Sequence, residues 1–176
     1  MKTDSAALAR TANLLGALAL AVSDRLVEAV RFHPNQTDTA AAALHLIGAY
    51  GGCSNSELSQ ALRLSHPATV RLVDRLEEAG HVRAEPGRDR RSTALHLTAS
   101  GRNLVRSTGQ RRASVLIDVA AALSAAQRSQ FDALSEVLLS VMTTSAVEGT
   151  AICRLCNDAD CPPQSCPVHQ AAERRV

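Results

Sequence analysis

Aromatic residues are nearly absent from this chain of 176 residues, which has no tryptophan and only Phe32, Tyr50 and Phe131. Ala, Leu and Val must therefore build the core. Small aliphatic side chains favour closely packed helices over a sheet sandwich, which draws on branched and aromatic residues. Also missing is an unbroken run of the roughly 18–20 apolar residues needed to span a membrane. Residues 14–22 look like the apolar part of a secretory leader, but the helical pattern continues well past them. A leader is therefore not expected, and the chain is placed in the cytoplasm. No internal repeat is visible. No nucleophile stands with a base, so an enzyme is not expected either.

What is present is unevenly distributed. The formal net charge is only +2, yet residues 63–112 hold eleven Arg against five Asp and Glu, a local +6. The rest holds eight Lys and Arg against twelve Asp and Glu, a local −4. A basic middle inside an acidic remainder is the electrostatic footprint of a polyanion partner.

Periodicity predicts a mainly α chain. Residues 4–32 read as one long helix with Leu8, Leu15, Val22, Leu26 and Val30 on a single stripe. An alanine-rich helix at 38–50 stops at Gly51-Gly52. Ser54 and Glu57 spell a capping box that opens a short helix. Arg63-Leu64-Ser65 is a turn, and Pro67 suits the first turn of the next helix, whose apolar face is read as Val70, Val73 and Leu76. Gly80 ends that helix. Residues 82–85 and 93–98 then flank a basic turn as a hairpin. Helices follow at about 100–122 and 125–148, the second opened by a Ser124–Gln127 capping box and striped with Phe131, Leu134, Leu138 and Val141.

Two short helices, a three-residue turn and a basic hairpin make a winged helix-turn-helix. A major groove about 12 Å wide admits one helix, whose first residues reach base edges. Ser65, His66 and Thr69 lie on those first turns, and Arg71 and Arg75 project from the polar side. The hairpin tip carries Arg88, Arg90 and Arg91, suited to a narrow electronegative minor groove. Asp89 fits such a tip if it pairs with Arg91 and fixes its aim.

The run from Ser65 to Arg83, then Asp89-Arg90-Arg91, then Leu97-Thr98-Ala99-Ser100-Gly101, resembles the MarR family of regulators. The resemblance spans about residues 5–145. It implies a homodimer whose first and last helices interlock near a two-fold axis, each subunit offering one recognition helix to double-stranded DNA. It implies that Arg91 enters the minor groove while Asp89 orients it, and that Ser65, His66, Thr69, Arg71 and Arg75 face DNA; Arg90 joins the DNA-binding residues through its place in the basic tip. The His66-Pro67 pair departs from the family pattern at the base-reading end, so the resemblance names no operator. Small phenolic ligands, metals or thiol oxidation are the signals it suggests, with a ligand pocket between the dimer helices and the DNA-binding domain. His33 and His45 read as ordinary histidines rather than metal ligands.

Beyond residue 148 lies an addition. Cys153, Cys156, Cys161 and Cys166 fall within fourteen residues, with His169 three further on. The spacing is that of a zinc knuckle with cysteine in place of its histidine, which predicts four cysteine ligands, or three and His169, around zinc. Cys161-Pro162 and Cys166-Pro167 also echo iron–sulfur ligation, and Cys153 with Cys156 makes a thiol switch a third reading. The tail is expected to be a loop without a core, emerging beside the dimerisation region. Cys53 reads as a small, semi-buried residue.

The chain thus divides into a helical dimerisation region (1–34 and 99–148), a winged helix-turn-helix (35–98) and a cysteine-rich tail (149–176). The expected function is a homodimeric, sequence-specific transcription regulator, a repressor, tuned by a ligand, metal or redox signal. The alternative is a metal-binding protein-interaction module whose helix-turn-helix is non-functional.

Overall fold

A computed structural model describes residues 2–30, 37–87, 93–157 and 159–175. Its helices are α1 (Lys2–Val30), α2 (Asp38–Tyr50), α3 (Asn55–Leu62), α4 (His66–Glu78), α5 (Ala99–Ala120), α6 (Ala125–Met142), α7 (Ala146–Cys153) and α8 (Pro167–Glu173). Strands β1 (Val82–Pro86) and β2 (Thr93–Leu97) pair antiparallel, with Val82 opposite Leu97 and Pro86 opposite Thr93. The mainly α architecture with a small β-hairpin is as expected.

The core is built around α2. Ala40 to Leu44, Leu46 and Ile47 are all buried, more of the helix than one amphipathic stripe accounts for. Leu58 and Ala61 of α3, Leu72, Val73 and Leu76 of α4, Leu95 and Leu97 of β2, and Leu104 of α5 close over it. Each such leucine contributes about 1.5–3 kcal/mol by leaving water. Thr37 caps the start of α2 by accepting from the Ala40 N–H at 3.1 Å, and Gly51 ends it at φ 60°. Arg112 on α5 pairs with Asp38 at 3.1 Å.

Cys53 joins the hairpin to this core. It forms an isolated bridge with Leu95, whose N–H donates to the Cys53 carbonyl at 2.8 Å. Its side chain is buried, and burial first, then the charge of Glu57, pushes the thiol up to about 11.

The Leu97-Thr98-Ala99-Ser100-Gly101 motif has a geometric cause. The Thr98 hydroxyl donates to the Gly80 carbonyl at 2.7 Å and accepts from the Gly101 N–H at 3.1 Å. A Cβ on Gly101 would stand 2.1 Å from the His81 carbonyl oxygen. The end of α4, the hairpin and the start of α5 are therefore held at one point.

The long helices differ from this core. Leu8, Leu14, Leu15 and Leu18 of α1 are exposed, and the helix buries only Val30 fully as it runs along α5. Ser5–Val30 is long and apolar enough to cross a membrane by length and composition, with a mean hydropathy of 1.4, although no unbroken apolar run produces that average. α6 has no buried residue, and Phe131, Leu134, Leu138 and Val141 are all exposed.

Two expectations are corrected at the C-terminal end. The helix expected at 125–148 stops at Met142, and a second one starts at Ala146. Between them, the buried Thr143 donates its hydroxyl to the Leu139 carbonyl at 2.8 Å, and Ser145 caps α7. Such hydroxyl residues compete with the helix for its own backbone groups. The tail also has a small core, made of Ala151, Cys166, Val168 and Ala171. α7 packs on α3, and α8 packs on α7 and α6, so the tail lies against the helix-turn-helix as well as the long helix.

Gly101→Ala is expected to lower stability by about 2–3 kcal/mol through overpacking, outweighing a gain of up to about 1 kcal/mol in helix propensity. The midpoint of chemical denaturation reads this, and an unchanged or raised midpoint contradicts it. The thiol of Cys53 should resist iodoacetamide at neutral pH in the native protein. An unfolded thiol ionises near 9.0 and this one near 11, so the unfolded chain releases its proton first. Native stability at this position is whole below about pH 9 and falls as pH rises toward 11. Cys53→Ser should flatten that part of the stability profile.

Candidate functional site: the nucleic-acid face and the cysteine cavity

Helix α3 begins with both halves of its capping box. The Ser54 N–H and hydroxyl donate to the Glu57 carboxylate at 2.7 and 2.8 Å, holding that carboxyl below its ordinary range. Its end is tight, since Arg63 stands at φ 54° in the left-handed region. Ser65 then caps α4, accepting from the Ala68 N–H at 3.4 Å, with Pro67 in the first turn.

The buried face of α4 is Thr69, Leu72, Val73 and Leu76, with Val70 only half-buried. The expected stripe of Val70, Val73 and Leu76 is therefore rotated by about one residue. This corrects the reading of Thr69. It is fully buried, and its hydroxyl donates to the Ser65 carbonyl at 3.2 Å, so it points away from any groove. A threonine can take an inward place because the preceding turn of its own helix satisfies its hydroxyl. Ser65, His66, Arg71 and Arg75 are exposed. Of the α4 residues expected to face DNA, Thr69 is thus the buried one.

On the hairpin, Glu85 pairs with Arg83 on its own strand and stands 3.5 Å from His96 across the ladder. The tip residues Asp89, Arg90 and Arg91 lie outside the described residues, as do Arg88 and His33.

The tail brings its cysteines together. Three backbone turns each end on one. The Cys156 N–H donates to the Cys153 carbonyl at 2.8 Å, that of Cys161 to Asn157 at 3.1 Å, and that of Cys166 to Pro162 at 3.0 Å. All four side chains line a cavity of about 370 Å³ together with His169 and, from α2, His45. The Cys153 thiol shares hydrogen bonds with Cys156 and with Cys166; these, with burial, hold it far above the ordinary thiol range. Cys166 is the N-cap of α8 and accepts from the His169 N–H at 3.5 Å. His169 itself stands 3.3 Å from Glu173. Among the described residues, no three His, Cys, Asp or Glu side chains are spaced to hold a metal ion as they stand.

The sequence did not point to two of these features. His45 reaches the cysteine cavity from more than a hundred positions away, and no periodicity signals that. Glu148 on α7 pairs with Arg63, tying the tail to the turn of the helix-turn-helix. The tail, expected beside the dimerisation region, also touches the turn between α3 and α4.

Comparison with known proteins places this geometry. Residues 37–92 match the MarR family model. No curated protein matches the chain. Among solved structures, a MarR family protein from Bacillus stearothermophilus is 26% identical, with a TM-score of 0.69 over 78% of this chain and 96% of that one. MepR, a transcription regulator of the Staphylococcus aureus multidrug efflux pump MepA, is 19% identical, with a TM-score of 0.65 over 74% of this chain and 97% of that one. A MepR variant bound to an oligodeoxyribonucleotide gives a TM-score of 0.57 at 19% identity, over 74% of this chain and 97% of that one. Residues 37–92 are thus similar to the MarR family, and the chain shares its winged helix-turn-helix fold with solved MarR-family structures.

Proposed function

We propose that the chain is a cytoplasmic, homodimeric transcription regulator that binds an inverted-repeat operator in double-stranded DNA and represses by occupying it. The observation that carries this reading is the division of α4. Its apolar face is sunk in the core, while Ser65, His66, Arg71 and Arg75 face solvent on the most basic stretch of the chain. A capped helix offering histidine and guanidinium groups at its open face suits base edges and phosphates. The MepR variant bound to an oligodeoxyribonucleotide supports the same use of the fold.

The dimer is supported by apolar faces that one chain leaves open. Leu134 on α6 is 66% exposed and Leu8 on α1 is 70% exposed, in stripes along two long helices. Contiguous apolar surface of that kind is costly in water and marks an interface. Two copies of the recognition helix would then meet half-sites about one helical turn, roughly 10 bp, apart or a small multiple of it. A small-molecule effector, unidentified by chemistry here, would act between the dimer helices and the winged domain.

Leu134→Glu with Leu138→Glu should give a monomer by light scattering and abolish operator binding. A stable wild-type monomer that still binds its operator would overturn the dimer. Arg91→Ala should weaken binding to all sequences, because a wing arginine acts mostly through charge and groove width. Asp89→Ala should reproduce part of that loss. His66→Ala should instead relax sequence preference, at roughly 1–3 kcal/mol for a good base contact. Thr69→Val separates the inward and outward placements of that residue. It should cost about 1 kcal/mol of stability through the lost hydrogen bond and leave sequence preference unchanged. Binding that ignores both salt and sequence would favour the alternative, an interaction module with a non-functional helix-turn-helix.

A further inference from the structure

The cysteine cavity is not explained by DNA binding. Its four thiols belong to a tail with its own small core, and each is delivered by a defined place in the backbone. Cys153 closes α7, Cys156 and Cys161 end successive turns of the loop, and Cys166 opens α8. Because α7 and α8 pack on one another, with Gly149 lying 3.4 Å from Ala172 and Val168 for any added Cβ, the two outer cysteines are held near each other. The remaining closure falls to Cys156, which is exposed, and Cys161, which is half-buried in the loop.

We propose that Cys153, Cys156, Cys161 and Cys166 form a thiolate site for one thiophilic divalent cation, zinc, and that filling it braces α7 against α3 and so strengthens operator binding. As they stand, the thiols are not spaced around a common point, so the ion must draw them in, each releasing its proton to solvent as its bond forms. Four sulfur ligands suit zinc and exclude the hard cations, which prefer oxygen. His45 and His169 line the same cavity. The route to DNA is short. Glu148, one turn and a half back along α7, pairs with Arg63 in the turn between α3 and α4. An ordered tail therefore removes freedom from the element that positions the recognition helix, and a state populated more fully binds more tightly. The metal site rests on four thiols lining one cavity, whereas its effect on DNA rests on the regulator reading above.

The test uses the full chain, reduced and stripped with a chelator, titrated with cobalt(II) and then zinc. Cobalt should give intense tetrahedral thiolate bands saturating at one ion per chain, and zinc should erase them. Cys156→Ser/Cys161→Ser should lose the bands while keeping its helical circular dichroism, and Cys53→Ser should keep the bands. Absence of the bands in the wild type, or their persistence in the double variant, overturns the site. A chain that instead assembles a coloured cluster from ferrous iron and sulfide, and ignores zinc, overturns zinc as its occupant. A Cys153–Cys156 disulfide formed on exposure to hydrogen peroxide, in a wild type that gives no cobalt bands, overturns the metal site in favour of a thiol switch. Zinc should then tighten operator binding by about fivefold or more, within the usual range of coupling between sites. Cobalt bands with unchanged operator affinity would leave the site and remove the coupling. Cobalt bands in a protein that binds no DNA at low salt would leave the site and sink the regulator reading.

Discussion

Helix α2 is the constraint on which the molecule depends. With aromatics nearly absent, the core has to be made by close approach, and the alanines at 40–43 allow it. A helix buried on so much of its surface has little freedom to turn, because any rotation opens a cavity on one side and a clash on the other. α3, α5 and β2 each pack directly on it. The open face of α4 is therefore presented by a rigid block rather than by a single helix.

The block extends outward by small, specific ties. The bridge between Cys53 and Leu95 fixes the inner edge of the hairpin, and the contacts among Gly80, His81, Thr98 and Gly101 fix its base. The hairpin and α4 are thereby referred to the same point on α5. A displacement of α5 relative to the core would carry both of the proposed DNA-contacting elements together. The long helices supply the opposite quality, since α6 keeps its apolar stripe uncovered within one chain.

Much of this was legible in the sequence because it is encoded locally. Capping boxes at Ser54–Glu57 and Ser124–Gln127, glycine stops at Gly51 and Gly80, and Pro67 in a first turn each act within four residues, and each is found where the pattern put it. What was not legible depends on phase or distance. In α4, Val70 and Thr69 are neighbours that both tolerate burial, and only packing against α3 and β1 decides between them. The break at Thr143 is hidden because Ser, Thr and Val near a helix end suit either continuation or a new cap. The convergence of His45 with the tail cysteines and the Arg63–Glu148 pair are tertiary facts with no local signal. The wing arginines are as clear in the sequence as anything in the chain, and they lie outside the described residues.

Arg63 deserves a separate consequence. Among the described residues it is the one non-glycine with positive φ. An arginine there carries a backbone cost of roughly 1–2 kcal/mol that glycine would escape. Its half-exposed pair with Glu148 returns about 0–1 kcal/mol. The joint between the tail and the helix-turn-helix therefore carries a small net cost, between about zero and 2 kcal/mol. It resembles a loosely tensioned coupling in a machine, where little effort is lost in the linkage itself. Such a joint can be retuned by one side chain at a time without unfolding either part, which makes the tail separable in evolution from the motif it touches.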